Sequence, residues 1–209
     1  MNILNFFNLF KNNKRIIYFE NYSKKFNYEF TETITAMPVN IPFDLFSKGK
    51  VTKISCVVKG LLDGCNFLLC DFEKINLTPG GTKIHKKQSI LIIDLKKKLN
   101  NFILKPIYTL TDEEREHSKN VINNSEFSAS YYLKGDENYL QRLFSDEVLY
   151  FFRHLKYISA EVYEDKLLFY VDNLLLELHE GFIGFFMSNG VRFAKLLNNV
   201  DVINKNDSI

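Results

Sequence analysis

Apolar residues in the first 26 positions recur with the spacing of an α-helix. Asparagines take one face of the first ten residues, and the opposite face is formed by Ile3, Phe6, Phe7 and Phe10. A similar spacing runs through residues 14–26, which end near two lysines, where cations suit the helix dipole. The pattern predicts an amphipathic helix at the N-terminus and a second helical stretch after it.

The period changes to two at residue 51. Prolines at positions 38 and 42 first predict an extended linker over residues 36–46, because a residue before proline avoids the helical region. Alternating β-branched residues then predict strands at 51–58, 65–77 and 83–95. Asp63-Gly64 and Pro79-Gly80-Gly81 supply the turns between them, so these strands form an antiparallel meander. Three lysines at 96–98 are expected in a solvated edge or loop, before another extended piece at 102–108.

The second half of the chain mixes the two periods. Thr111 and Glu114 fit a capping box for a short helix that joins the two halves. Asp136 and Ser145 each precede a helical pattern. Strands are predicted at residues 126–133, 158–163 and 166–171, the last two joined by a Glu164-Asp165 turn. A C-terminal helix is predicted from about residue 172 to residue 199.

These elements predict an α+β fold: an antiparallel β meander, a strand-helix-strand-strand unit, and helices at both ends. We divide the chain into an amphipathic segment (1–12), a first lobe with the meander (13–110), a second α+β lobe (111–199) and a flexible tail (200–209). The 209 residues are 46% hydrophobic, which suffices for a packed core and leaves little room for a multi-domain enzyme.

Charge and cysteine content restrict the function further. The formal net charge is +2, too balanced for a nucleic-acid partner, so any basic surface must be local. Lysines near the meander could form such an edge, either solvated or bound to phosphate or anionic lipid: Lys48, Lys50, Lys53, Lys83, Lys86, Lys87 and those at 96–98.

Cys56, Cys65 and Cys70 are odd in number and lie in one apolar stretch, which favours core thiols and a cytoplasmic location.

The N-terminal segment has two alternative binding surfaces. It could dock on the protein's own core, or it could lie in a lipid headgroup layer as a peripheral anchor at the inner membrane surface. In the second case the contact residues would be Ile3, Phe6, Phe7, Phe10, Lys11, Lys14 and Arg15, with the three cations meeting anionic lipid.

Catalytic, cofactor and metal sites are not predicted. Residues 78–83 hold glycines and a lysine but lack the length and the following helix of a phosphate-binding loop. The four histidines are dispersed, and a composite metal site from Glu113, His117, Glu177 and His179 lacks a ligand spacing that would support it. Asp71 interrupts an apolar strand and is the one candidate functional carboxylate, with an outward-facing or turn-stabilising role as the alternative.

Several motifs follow one another along the chain. The early ones are Gly60, Asp63-Gly64, Cys70-Asp71-Phe72, Gly81, Lys83, Gln88 and Phe102-x-Leu104-x-Pro106. The more specific ones are FSxxYxLxGxE, from Phe127 to Glu137, then Arg142, Phe144, and VLxFF, from Val148 to Phe152. The series resembles a widespread family of uncharacterised bacterial proteins, a domain of unknown function, over about residues 13–172.

The resemblance implies an α+β domain and carries over no catalytic residue. Members of the family have an FDY-like triplet where this chain has Cys70-Asp71-Phe72, and a Pro-Glu pair where it has Pro106-Ile107. They occur as soluble domains, sometimes beside membrane segments, which keeps both alternatives for the N-terminal segment open.

We therefore expect a non-enzymatic binding or assembly module with a protein partner, since aromatic residues can anchor an interface and no catalytic set assembles. The contacts expected are the N-terminal aromatic face and residues 135–152. Peripheral membrane attachment is the first alternative. A hydrolase that uses Asp71 with a histidine is the second.

Overall fold

The computed structural model describes residues 3–36, 42–47, 49–78, 80–116 and 121–200, with the backbone alone for residues 3–12 and 113. Over this part of the chain, seven α-helices accompany a six-stranded antiparallel sheet, which confirms the α+β prediction. The helices are α1 (Ile3–Phe26), α2 (Asp44–Ser47), α3 (Asp112–Glu116), α4 (Ser125–Ser130), α5 (Glu137–Leu143), α6 (Asp146–Arg153) and α7 (Glu180–Asn199). The strands are β1 (Glu29–Ile34), β2 (Lys50–Leu62), β3 (Cys65–Leu77), β4 (Lys83–Pro106), β5 (Tyr131–Gly135) and β6 (Ser159–Tyr170).

One long strand organises the sheet. The first four strands follow one another as the predicted meander, and the Asp63-Gly64 turn has the positive φ angles of a tight hairpin, 51° and 79°. β4 is 24 residues long and borders β3 and then β5 along one edge, with β6 along its other edge. Both halves of the chain therefore build one sheet.

The sheet bends sharply where β4 and β6 run together. Tyr170 Oη donates to Glu161 Oε1 at 2.9 Å, although nine residues of an extended strand would span roughly 30 Å. The register between the strands shifts at this point, and Glu164 has a φ of 51°. β6 is therefore one bent strand, and the prediction of two strands was wrong. The lysines at 96–98 lie within β4 and not in a loop, between the residues that pair with β3 and those that pair with β5, and Lys96 and Lys98 are exposed.

Apolar clusters cover both faces of the bent sheet. The larger cluster joins the sheet to α1, α5, α6 and α7 and contains residues from both halves of the chain. The smaller one, on the other face, includes Phe43 and Leu45, which flank the start of α2 and pack against Phe72, Ile90 and Leu168. A region expected to be a plain linker therefore supplies core residues.

Four further elements differ from the sequence-based predictions. β1 was not predicted. It is an edge strand whose residues are mostly exposed, so it lacks an alternation of apolar and polar residues. α2 lies within the predicted linker. Residues 125–130 form α4 instead of a strand, because the Asn124 side chain caps the helix by accepting from the Phe127 N–H. α7 begins at Glu180, eight residues later than predicted, since the preceding segment binds the sheet in an irregular conformation.

Other local sequence patterns predicted the structure correctly. β3 has the predicted bounds, and the helices of residues 1–10 and 14–26 form the continuous α1. Thr111 and Glu114 form both hydrogen bonds of the capping box. Asp136 caps α5 by accepting from the Tyr139 N–H at 2.7 Å.

Two glycines of α7 provide a matched pair for testing the packing. A Cβ at Gly190 would lie 2.5 Å from Leu91 Cδ2, inside the core, whereas a Cβ at Gly184 would meet nothing within 4 Å. We expect Gly190→Ala to destabilise the protein by about 2 kcal/mol through overpacking. Gly184→Ala should stabilise it by up to about 1 kcal/mol through helix propensity. Urea unfolding of both variants measures the change in the free energy of unfolding, and an equal change in the two variants would contradict the placement of α7.

Candidate functional site

A buried ion pair joins α1 to the middle of β3. Arg15 Nε and Nη2 donate to the two carboxylate oxygens of Asp71, at 2.6 Å and 2.8 Å. The two side chains are only 14% and 6% exposed. A bidentate pair of this kind is short, directional and strong. The acidic residue that interrupts the apolar strand is thus the attachment point of a helix.

The same guanidinium reaches the segment that precedes α7. Arg15 Nη1 donates to the carbonyl oxygen of Leu176 at 2.7 Å. The Ser89 hydroxyl on β4 donates to Asp71 Oδ1 at 2.7 Å and accepts from the Leu176 N–H at 2.9 Å. Four segments that are distant in sequence therefore meet at one carboxylate: α1, β3, β4 and the segment before α7.

The surroundings of Asp71 favour a structural role for it. Its hydrogen-bonding partners among the described residues are Arg15, Ser89 and the thiol of Cys56. Cys56 lies nearby, and burial together with the Asp71 charge raises the pKa of its thiol to about 12. Burial also raises the pKa of Cys70. All three cysteines are free and buried, and the raised pKa makes Cys56 and Cys70 poor nucleophiles at neutral pH.

The energetic coupling of Arg15 and Asp71 can be measured by a double-mutant cycle. We expect Arg15→Met and Asp71→Asn each to lower the free energy of unfolding by about 3 kcal/mol, because each leaves an uncompensated buried charge. The double variant should lose clearly less than the sum of the two. Lys24→Gln, which breaks the exposed pair with Glu20, is the control and should cost no more than about 0.5 kcal/mol. Additive losses at Arg15 and Asp71 would contradict the pairing.

A second buried carboxylate, Glu161 on β6, lies on the opposite face of the sheet. It is 1% exposed and accepts from Tyr170 Oη and from the Leu45 N–H at 3.1 Å. Burial raises the pKa of Glu161 above its ordinary value of 4.5, and burial beside this carboxylate raises the pKa of Tyr170. Sequence analysis did not single out Glu161, although it interrupts an apolar strand just as Asp71 does.

Lysines complete the attachment of α2 to the sheet. Lys74 Nζ donates to the Leu45 carbonyl oxygen at 2.7 Å, and burial lowers the pKa of this lysine. Lys105 Nζ donates to Asp44 Oδ2 at 2.9 Å and to Glu114 Oε1 at 3.1 Å. A cleft of about 370 Å³ adjoins this cluster, between α2 and the strands β4, β5 and β6. Glu161 and the two lysines bind the backbone and side chain of residues 44 and 45, so the cluster fixes α2.

Glu161 should make stability depend on pH. Because its pKa is raised in the folded state, the fold retains a proton that the unfolded chain releases above about pH 4.5. Its contribution is therefore complete below that pH and is lost as the pH rises through the raised pKa. Relative to Glu161→Gln, the wild type should lose stability in urea unfolding as the pH rises above about 4.5. Glu29→Gln, at an exposed site, is the control. A pH-independent difference would contradict the assignment.

An exposed aromatic face occupies the start of α7. Phe182 and Phe185 are 54% and 62% exposed, and Leu174 and Leu178 just before them are also exposed. α1 lies alongside, where Lys25 pairs with Glu180 at 2.6 Å. We refer to Leu178, Phe182 and Phe185 as the α7 aromatic face. Sequence analysis placed these rings inside a longer helix and gave no sign that they are exposed.

The segment 135–152, expected to contact a partner, contributes mainly to the core. Its large apolar residues are buried against one another and against α7: Tyr139, Leu140, Leu143, Phe144, Val148, Phe151 and Phe152. A groove of about 340 Å³ between α4 and α6 has Phe127, Tyr131 and Phe152 among its lining residues. The Arg153–Glu126 ion pair, at 2.7 Å, joins the two helices there.

The N-terminal contact residues fall in two groups. The side chains of Ile3, Phe6, Phe7, Phe10 and Lys11 lie outside the described part of the structure, although the backbone there continues α1. Lys14 is exposed. Arg15 points inward to Asp71, so its charge is used inside the fold.

No metal-binding group of side chains occurs among the described residues. His85, His154 and His179 are exposed, while His117 lies outside the description. His179 Nδ1 accepts from the Gly181 N–H at 3.1 Å and so caps α7. In the described ranges, no helix is both long enough and apolar enough to cross a bilayer.

Comparison with known proteins adds one similar structure. No family model and no curated protein matches the chain. The fold is similar to the crystal structure of the mycobacterial trehalose monomycolate transport factor A, TtfA, with a TM-score of 0.53. The sequences are 10% identical, and the match covers 89% of this chain and 93% of that one. At this identity the similarity concerns the fold.

Proposed function

We propose that this chain is a non-enzymatic binding module that docks a partner protein on the α7 aromatic face. The observation that carries the proposal is the exposure of Phe182 and Phe185, each more than half accessible on one helix. Aromatic side chains supply much of the binding energy of protein interfaces, because they bury a large area at a low entropic cost.

The charges around this face support a protein as the partner. Glu177 and Glu180 lie at its start, and Lys25 pairs with Glu180 there, so the rim carries both signs. An anionic bilayer would be repelled by the two carboxylates, whereas a protein surface can complement a mixed rim.

The buried charges support binding rather than catalysis. Asp71 and Glu161 are the buried carboxylates of the described residues, and both find their partners inside the fold. A fold shared with a protein named as a transport factor is a further, analogical argument for a binding role. Membrane attachment through residues 1–12 is a separate proposal, because it uses a different part of the molecule.

The docking surface can be tested by comparing matched surface variants. We expect that a protein recovered with the tagged full-length chain depends on Phe182 and Phe185. Quantitative mass spectrometry should show its recovery falling at least about tenfold with Phe182→Ser/Phe185→Ser, as for the loss of two hot-spot rings.

The control is Tyr150→Ser/Tyr157→Ser, which removes two exposed rings elsewhere on the surface. This variant should leave the recovery unchanged. If no recovered protein depends selectively on the two phenylalanines, the α7 aromatic face is not the docking surface.

A further inference from the structure

One end of the sheet carries exposed apolar residues among lysines. β3 and β4 extend beyond β2 to a hairpin turn, and Leu77 and Ile84 beside this turn are 69% and 45% exposed. Val51, at the start of β2, is 39% exposed. We call this region the basic sheet end, and its lysines are Lys50, Lys53, Lys83, Lys86 and Lys87.

Positive charge is concentrated there. Lys86 pairs with Asp172 and Lys87 with Glu73, whereas Lys50, Lys53 and Lys83 form no ion pair within the described residues. The whole chain carries a net charge of only +2, so these three lysines account for a strong local excess. Apolar side chains surrounded by lysines are the combination that binds an anionic bilayer surface.

We propose that the basic sheet end forms a contact surface for an anionic lipid bilayer. The lysines meet the lipid headgroups, while the tip of the β3–β4 hairpin enters the interfacial layer with Leu77 on one face of the sheet and Ile84 on the other. This surface is separate from the α7 aromatic face.

Vesicle co-sedimentation of the full-length chain tests the proposal. The chain should bind vesicles made of equal parts phosphatidylglycerol and phosphatidylcholine, and it should not bind vesicles of phosphatidylcholine alone. Lys50→Gln/Lys83→Gln should weaken binding at least about tenfold at about 0.1 M salt. Leu77→Thr/Ile84→Thr should weaken it as well, because threonine is less apolar than leucine or isoleucine but is still compatible with a strand.

Matched controls separate this surface from general charge effects. Lys59→Gln/Lys134→Gln removes the same charge from exposed positions elsewhere on the sheet, and Leu61→Thr removes an exposed leucine beside the β2–β3 turn. Both should bind nearly as the wild type does, as should Phe182→Ser/Phe185→Ser. Added inorganic phosphate at constant ionic strength should not compete.

Several results would overturn the proposal. They are an absence of binding to anionic vesicles, full competition by phosphate, and an equal loss of vesicle binding in Lys50→Gln/Lys83→Gln and in Lys59→Gln/Lys134→Gln. Loss of vesicle binding in Phe182→Ser/Phe185→Ser would instead assign lipid to the α7 aromatic face, and would contradict both this proposal and the proposed protein partner. Wild-type binding by all variants would show that neither surface contacts lipid.

Discussion

The arrangement of helices on the sheet depends on the ion pair between Arg15 and Asp71. The carboxylate lies in a strand whose neighbours are apolar, where an unpaired charge would be costly. Arg15 neutralises it, Ser89 supplies a further donor, and Leu176 is bound in the same network. The need to neutralise Asp71 therefore fixes the position of α1 and of the segment that leads into α7. α1 and α7 are the two longest helices of the described chain.

Both faces of the bent sheet are packed against other elements. β4 and β6 fold over so that Tyr170 meets Glu161, and α2 with Phe43 packs on the inner face. The longer helices pack on the other face. Two exposed regions outside these apolar clusters differ in charge: the α7 aromatic face has a rim of mixed charge, and the basic sheet end is positive. We propose the first for a protein partner and the second for an anionic bilayer.

Local signals in the sequence predicted much of the fold but little of the site. The Asp63-Gly64 turn, the Thr111 capping box and the alternation in β3 act within a few residues, so they could be identified directly. The pairing of Arg15 with Asp71 spans 56 residues, and no local pattern encodes it. Sequence analysis therefore listed Arg15 as a membrane or partner contact and Asp71 as a possible functional carboxylate, without pairing the two. α4 was missed because its propensity is weak and the Asn124 cap decides its conformation.

The account rests on the claim that Asp71 holds α1 against the sheet. Amide hydrogen exchange in the wild type and in Asp71→Asn measures this claim directly. Protection should fall together in residues 14–26 and at Leu176, while β5 and α5, which lie outside the network, keep their protection. Unchanged exchange in α1, or a uniform loss across the whole sheet, would contradict the claim.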